Sequence, residues 1–213
     1  MKTSAEIFDT LYTTYPSLLP CRSDIKRAFG ALLACAKKNS TVLICGNGGS
    51  AADSEHIVGE LMKGFNLKRP LSTEIKDAFS RVPGGTEIAE KLQSPVRAIS
   101  LVSQTGLITA FSNDVSADLI FAQQVLAYSQ NEKDVLIALS TSGNSKNVVN
   151  AVLTSKATGI VSVAITGEKE SRLSELADIT IMLPANTPFE VQELTLPVYH
   201  ALCAAVEAEL FSE

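Results

Sequence analysis

Between Leu43 and Glu60 the chain reads LICGNGGSAADSEHIVGE, and two kinds of chemistry share those eighteen residues. A glycine-rich turn between an apolar run and a helix presents free backbone N–H groups to an anion, phosphate above all. His56 and Glu60 stand at i and i+4, on one helix face, and an imidazole beside a carboxylate serves a metal or a proton. Both together point to a phosphorylated substrate that undergoes reaction. Late in the chain Gln192 and His200 are eight positions apart. That is about 12 Å along a helix, a gap two long side chains can close by leaning together. His56 and His200 are the chain's two histidines.

The turn itself is GNGGS. Gly46, Gly48 and Gly49 permit backbone geometries closed to other residues and let a ligand approach the main chain. Ser50 reads as the cap of the following helix, with Asp53 as its capping-box partner. The spacing Gly46-x-Gly48-x-x-Ala51 also satisfies the loose dinucleotide fingerprint, but the acid expected about 20 residues later is missing from MKGFNLKRP. A turn that only shapes a strand-to-helix junction is the remaining alternative. A second turn, STSGNS over Ser140 to Ser145, occupies the same place after another apolar run. The hydroxyls of Ser140, Thr141, Ser142 and Ser145 are neutral donors that can surround a phosphate at a helix N-terminus without any cation. Two such turns on successive carboxyl edges favour a sugar phosphate over a nucleotide.

The elements that must position these residues follow from periodicity. Five β-branched runs, Thr41 to Cys45, Ala98 to Ser103, Asp134 to Ser140, Ile160 to Thr166 and Asp178 to Leu183, are continuous rather than alternating, as in strands buried on both faces of a parallel sheet. Helical patterns lie between them at Ser50 to Phe65, Ala117 to Tyr128 and Ser145 to Thr158. The alternation predicts an α/β fold, a three-layer αβα sandwich around a five-stranded parallel sheet, with ligands at the carboxyl ends of the strands. Residues 1–40 read as two amphipathic helices with Pro16 and Pro20 between them. Residues 187–211 read as a long C-terminal helix that Pro197 should kink. The polar stretch 66–95 reads as a helical excursion or lid over the site. The apolar terminal helices suggest oligomerisation.

At 213 residues the chain suits a single domain. Its 18 Lys and Arg against 23 Asp and Glu, a formal charge of -5, argue against nucleic-acid and anionic-membrane partners, and Lys37-Lys38 and Lys68-Arg69 read as solvated faces. Cys21, Cys35, Cys45 and Cys203 form no CxxC pair and fit buried, reduced thiols. With no signal-peptide core at MKTSAEIFDT and no apolar run judged long enough to span a bilayer, the expectation is a cytoplasmic protein.

GNGGSAADSEH, the pair Asn113-Asp114 and STSGNSKNV resemble the sugar isomerase (SIS) domain, and within it the phosphoheptose isomerase family, from about Thr41 to Phe211. The resemblance implies a flavodoxin-like fold and a homotetramer, with sites near subunit interfaces, that interconverts sedoheptulose 7-phosphate and a heptose 7-phosphate, often with zinc. It implies substrate contacts at Asn47, Gly48, Gly49, Ser50, Glu60, Asn113, Asp114, Ser140, Thr141, Ser142, Ser145 and Gln192, with the phosphate in STSGNS. It also implies a divalent-metal set of His56, Glu60, Gln192 and His200. Two departures stand out: many members carry a second histidine where this chain has Thr195, and many an arginine where it reads Leu61 to Gly64.

Aldose–ketose isomerisation moves one proton between adjacent carbons and another between their oxygens, so it needs a base and a group that polarises the carbonyl. Glu60 is the expected base. His200 is either the acid or a metal ligand, two roles that compete because a metal-bound nitrogen cannot also donate the proton. The alternative function is a non-catalytic SIS module, a sugar-phosphate sensor or a replication-initiator-associating scaffold. Such a module needs the serine turn but not the His56, Glu60, Gln192 and His200 set.

Overall fold

A computed structural model describes residues 2–212. Five strands, β1 (Val42–Cys45), β2 (Ala98–Ser100), β3 (Val135–Leu139), β4 (Val161–Thr166) and β5 (Ile179–Met182), pair in parallel in the order β2-β1-β3-β4-β5. Register is continuous, with Cys45 opposite Ala138 and Ala138 opposite Ala164. The side-chain alternation of a strand explains the unbroken apolar runs. Val42, Ile44, Val135 and Ile137 enter one core, and Leu43, Cys45, Leu136 and Ala138 enter the other.

Helices α1 (Ser4–Thr14), α2 (Arg22–Lys37), α3 (Gly49–Met62) and α10 (Pro188–Phe211) pack on the first face. On the second face lie α6 (Thr105–Phe111), α7 (Ile120–Tyr128), α8 (Lys146–Thr158) and the short α9 (Arg172–Leu176). The three expected layers are therefore present. The chain moves from β1 outward to β2 and then crosses to β3, so the direction of winding reverses between β1 and β3. The crevice outside their carboxyl ends is where ligands of this topology sit.

Several local expectations change. The second strand stops at Ser100, and the chain continues into α6, a π-helical turn (Ser112–Ser116) and a 3-10 turn before α7. α10 runs through Pro197 as one uninterrupted helix. With 24 residues it is, by length and composition alone, long enough to cross a membrane, contrary to the sequence reading, and 61% of its most apolar window is buried inside the molecule. The excursion forms α4 (Thr73–Ser80) and α5 (Gly85–Ala89). It leaves from the C-terminal end of α3 and re-enters at the start of β2, the edge of the sheet opposite the ligand crevice. Among the described residues, no hydrogen bond joins 73–92 to the glycine or serine turn. All four cysteines are free and buried, and burial pushes the Cys45 and Cys203 thiols up to about 12.

Arg69 is the largest correction. Far from being solvated, it is 1% exposed and pairs with Glu207, also 1% exposed, at 2.7 Å. Its guanidinium donates further to the carbonyls of Leu61 (2.7 Å) and Glu60 (3.1 Å) and lies 4.8 Å from the Phe211 ring centroid. Glu207 in turn accepts the backbone N–H groups of Phe65 and Asn66, each at 2.7 Å, and Leu67 at 3.2 Å. The pair clamps the end of α3 to the last turns of α10.

Removing one partner of a buried pair leaves an uncompensated charge. Arg69→Met should therefore lower unfolding stability by about 3–5 kcal/mol, read as a lower denaturant midpoint. Adding Glu207→Leu should not restore it, because three N–H groups then lose their acceptor. Wild-type stability in the double variant would show that the clamp contributes nothing net.

Candidate functional site

The first turn is built by glycine rather than by a serine cap. Gly48, at φ +58°, is the N-cap of α3, and no side chain caps this helix. Because the chain turns at Gly48, Ser50 already lies inside the first turn, buried. Neither the Ser50 cap nor its capping-box pairing with Asp53 forms. Gly49 has a specific task. A Cβ there would lie 2.6 Å from Gln192 Nε2 and 2.8 Å from its Cδ, so only glycine lets the amide from α10 rest against the turn. Asn47 stays exposed at the mouth of the β1–β3 crevice.

The second turn faces it across that crevice. Ser140 Oγ donates to Ser145 Oγ at 3.1 Å, and the Asn144 N–H donates to Ser142 Oγ at 3.2 Å. Gly143 holds φ +65°, and any Cβ there would lie 2.0 Å from Ser171 Oγ, so the turn is seated on the start of α9. The Thr141 carbonyl accepts the Gly167 N–H at 3.0 Å. Ser145 is the N-cap of α8 but makes no side-chain cap bond, which leaves its hydroxyl free to turn toward a ligand. Asn113 donates to Asp114 at 2.8 Å on the π-helical turn after α6. Such π-turns are frequent at functional sites, but no hydrogen bond ties this pair to the other site residues.

α3 and α10 lie side by side and parallel. Gln192 meets Gly49, Tyr199 and His200 meet His56, and Glu207 meets Phe65. The eight-residue interval thus sets His200 beside His56 but leaves the Gln192 amide on Gly49, seven residues or about 10 Å of helix earlier. His56 Nε2 is 3.2 Å from Glu60 Oε1 and 3.5 Å from His200 Nε2. Glu60 is only 11% exposed in its side chain, and Lys63 Nζ approaches its other oxygen at 3.3 Å. Burial, and then the neighbouring His56, hold the His200 imidazole below its ordinary pKa.

Two residues that the sequence reading did not assign to the site join here. The Tyr199 hydroxyl lies 2.9 Å from His56 Nδ1 and 3.3 Å from Asp53 Oδ1. Burial raises the Asp53 carboxyl and pushes the Tyr199 phenol well up. One phenolic proton allows two arrangements. If it goes to His56, then Nε2–H donates to Glu60 and Asp53 faces the phenol oxygen as its proton donor. If it goes to Asp53, His56 donates through Nδ1 and turns the Nε2 lone pair toward the Glu60 carboxylate, an arrangement that favours a cation between them. Asp53, His56 and Glu60 share one helix face at i, i+3 and i+7, which is the signal that could have drawn Asp53 in.

The donor chemistry suits a zinc-class ion. Adjacent ligands of a tetrahedral zinc at about 2.0–2.1 Å stand roughly 3.4 Å apart, close to both distances at His56 Nε2. Among the described residues, however, no three His, Cys, Asp or Glu side chains form a ready metal group. The Gln192 amide rests on Gly49, about two helical turns before His56, and would have to move toward the cluster to join a metal held there. A groove of about 810 Å³ between α1 and α10 touches this cluster only through His200 and is otherwise largely apolar, lined by residues such as Ile7, Leu11, Phe65 and Ala204.

Family models described as SIS domain match residues 100–207 and 21–92. The phosphoheptose isomerase of Shewanella loihica is 33% identical over 192 residues, covering 89% of this chain and 85% of the relative. A solved phosphoheptose isomerase from Francisella tularensis superposes with a TM-score of 0.71 at 25% identity, covering 93% of this chain and 97% of that one. The Vibrio vulnificus NanR protein complexed with ManNAc-6P shares the fold alone, with a TM-score of 0.58 at 15% identity over 97% of this chain and 62% of its own.

The serine turn yields a direct test. Ser142→Ala combined with Ser145→Ala should weaken inorganic phosphate binding by about 10-fold or more in calorimetry, since each lost donor is worth roughly 0.5–1.5 kcal/mol. The melting temperature should stay within about 2 °C, because the hydroxyls leave a turn rather than a core. An unchanged dissociation constant would rule the turn out as the phosphate site.

Proposed function

Because the chain belongs to the SIS-domain family and is related within it to the phosphoheptose isomerases, we propose that this sugar-phosphate isomerase interconverts sedoheptulose 7-phosphate and D-glycero-D-manno-heptose 7-phosphate through an enediolate. The observation that carries the reading is the convergence of His56, Glu60 and His200 on the helix that starts at the glycine turn, with the serine turn following the neighbouring strand.

In this reading the phosphate sits in STSGNS, on the hydroxyls of Ser140, Thr141, Ser142 and Ser145. Asn47, Gly48, Gly49, Asn113, Asp114 and Gln192 contact the sugar. The Glu60 carboxylate takes the proton from C1 of the ketose and returns it to C2, while the proton between O1 and O2 passes through His200. Tyr199 and Asp53 hold the His56 ring so that Nε2 faces Glu60. A divalent ion, zinc by donor type, would be held by His56, Glu60, Gln192 and His200 and would supply electrophilic polarisation of the carbonyl. His200 then serves as a ligand rather than as the acid. Assembly belongs to the same proposal: a homotetramer in the cytoplasm, with a second copy covering the apolar groove beside His200 and bringing the sites close to the interfaces.

Glu60→Gln keeps size and hydrogen bonding but removes basicity. Turnover should fall by about 10²–10⁴-fold, and exchange of the C1 hydrogen with deuterated water should vanish, while sugar-phosphate affinity changes much less. Zinc content belongs in the same measurement, since Glu60 is both base and ligand here. Wild-type exchange in a zinc-loaded variant would reject Glu60 as the base. A wild-type protein that binds sugar phosphates and turns none over would instead establish the sensor function.

A further inference from the structure

The crevice between β1 and β3 is bridged by a side-chain pair of which the proposed function uses only one member. Asn47, in the glycine turn after β1, and Asn147, in the first turn of α8 after β3, face each other across it. The contact is reciprocal: Asn47 Nδ2 donates to Asn147 Oδ1 at 2.9 Å, and Asn147 Nδ2 donates to Asn47 Oδ1 at 2.9 Å. A paired amide of this kind has two equivalent states, since exchanging oxygen and nitrogen on both residues preserves both hydrogen bonds. Alone, it fixes nothing about which edge of Asn47 faces the ligand.

A third contact removes the ambiguity. The Val148 backbone N–H donates to the same Asn147 Oδ1 at 3.0 Å. Reversing Asn147 would set its NH2 against that N–H, donor against donor, and leave a backbone donor without an acceptor. Asn147 therefore has one orientation, and through it Asn47 has one orientation too. A carboxamide has two N–H donors and two acceptor lone pairs. After its two bonds to Asn147, Asn47 retains one N–H and one lone pair, and it stands exposed at the mouth of the crevice.

We propose that Asn147 is a positioning residue: it acts through Asn47, presetting the donor and acceptor edges that Asn47 offers to the sugar hydroxyls. The inference rests on the reading of Asn47 as a sugar contact. It adds that the contact is preorganised from the opposite turn, so that the two halves of the crevice recognise the ligand as a unit. Asn147 does not itself hold the phosphate, which makes the prediction specific to the sugar.

The test compares wild type, Asn47→Ala, Asn147→Ala, the double variant and Asn147→Asp. Dissociation constants for inorganic phosphate and for sedoheptulose 7-phosphate come from calorimetry, with KM and kcat measured alongside. Asn147→Ala should weaken sugar-phosphate binding and raise KM by roughly 3- to 10-fold, the range of one directed hydrogen bond. Inorganic phosphate affinity should stay near wild type, and kcat should fall much less than KM rises. The double variant should be no weaker than Asn47→Ala alone, because both changes remove one interaction. Asn147→Asp still accepts from Val148 and from Asn47 Nδ2. Judged by the ratio of sugar-phosphate to inorganic-phosphate affinity, in which its added charge cancels, it should recover most of the loss. Additive effects in the double variant, unchanged sugar-phosphate binding in Asn147→Ala, or a wild type that binds no sugar phosphate would each overturn the proposal. If wild type binds sedoheptulose 7-phosphate without converting it, the isomerase reading fails, and the affinity ratios still decide the role of Asn147.

Discussion

The ion pair between Arg69 and Glu207 is the constraint on which the site geometry depends. Two charges taken almost wholly out of water are tolerable only when every remaining donor and acceptor is engaged. Here Arg69 spends its other N–H groups on the carbonyls that end α3, and Glu207 spends its oxygens on the backbone of Phe65 to Leu67. The result fixes α10 lengthwise against α3. A slip of one turn would move His200 by about 5.4 Å and break its approach to His56. The clamp holds no substrate, yet it sets the spacing of the groups that would.

That register accounts for the division of labour along α3. Its N-terminal end, with Gly49 under Gln192 and the serine turn opposite, offers neutral donors and glycine backbone, which suit a dianion without competing cations. From Asp53 onward α3 meets Tyr199 and His200 of α10, and there burial and mutual contact shift Asp53, Tyr199 and His200. In the proposed function this separation keeps the phosphate's charge away from the proton-transfer groups.

Much of this was legible in the sequence because it is local. Continuous β-branched runs gave the five strands, and glycine and serine turns after the first and third of them marked the crevice. The i, i+4 and eight-residue intervals put His56, Glu60, Gln192 and His200 on facing sides of two helices. What was not legible depends on partners distant in sequence. Arg69 looked solvated among polar neighbours because Glu207 is 138 residues away. Asp53 looked like a cap partner because the positive φ of Gly48, which moves the cap off Ser50, is a backbone property. α6 lacked a clear apolar period, and its residues are exposed or half-buried, so burial had left little pattern to read.

Thr195 shows how the departure from the common family pattern is absorbed. Where many members carry a second histidine, Thr195 is 4% exposed and donates its hydroxyl to the Val191 carbonyl at 2.8 Å. It therefore faces its own helix and supplies no donor atom to the site. The partner that steadies His56 comes instead from Tyr199, one residue before His200. A phenol can pass a hydrogen bond on to Asp53 but, held well above its ordinary pKa, does not ionise near neutrality. In the proposed function this leaves proton transfer to Glu60 and the two imidazoles. Acid–base chemistry and metal binding would then draw on overlapping side chains, and the metal content of a preparation would decide which of the two roles His200 performs.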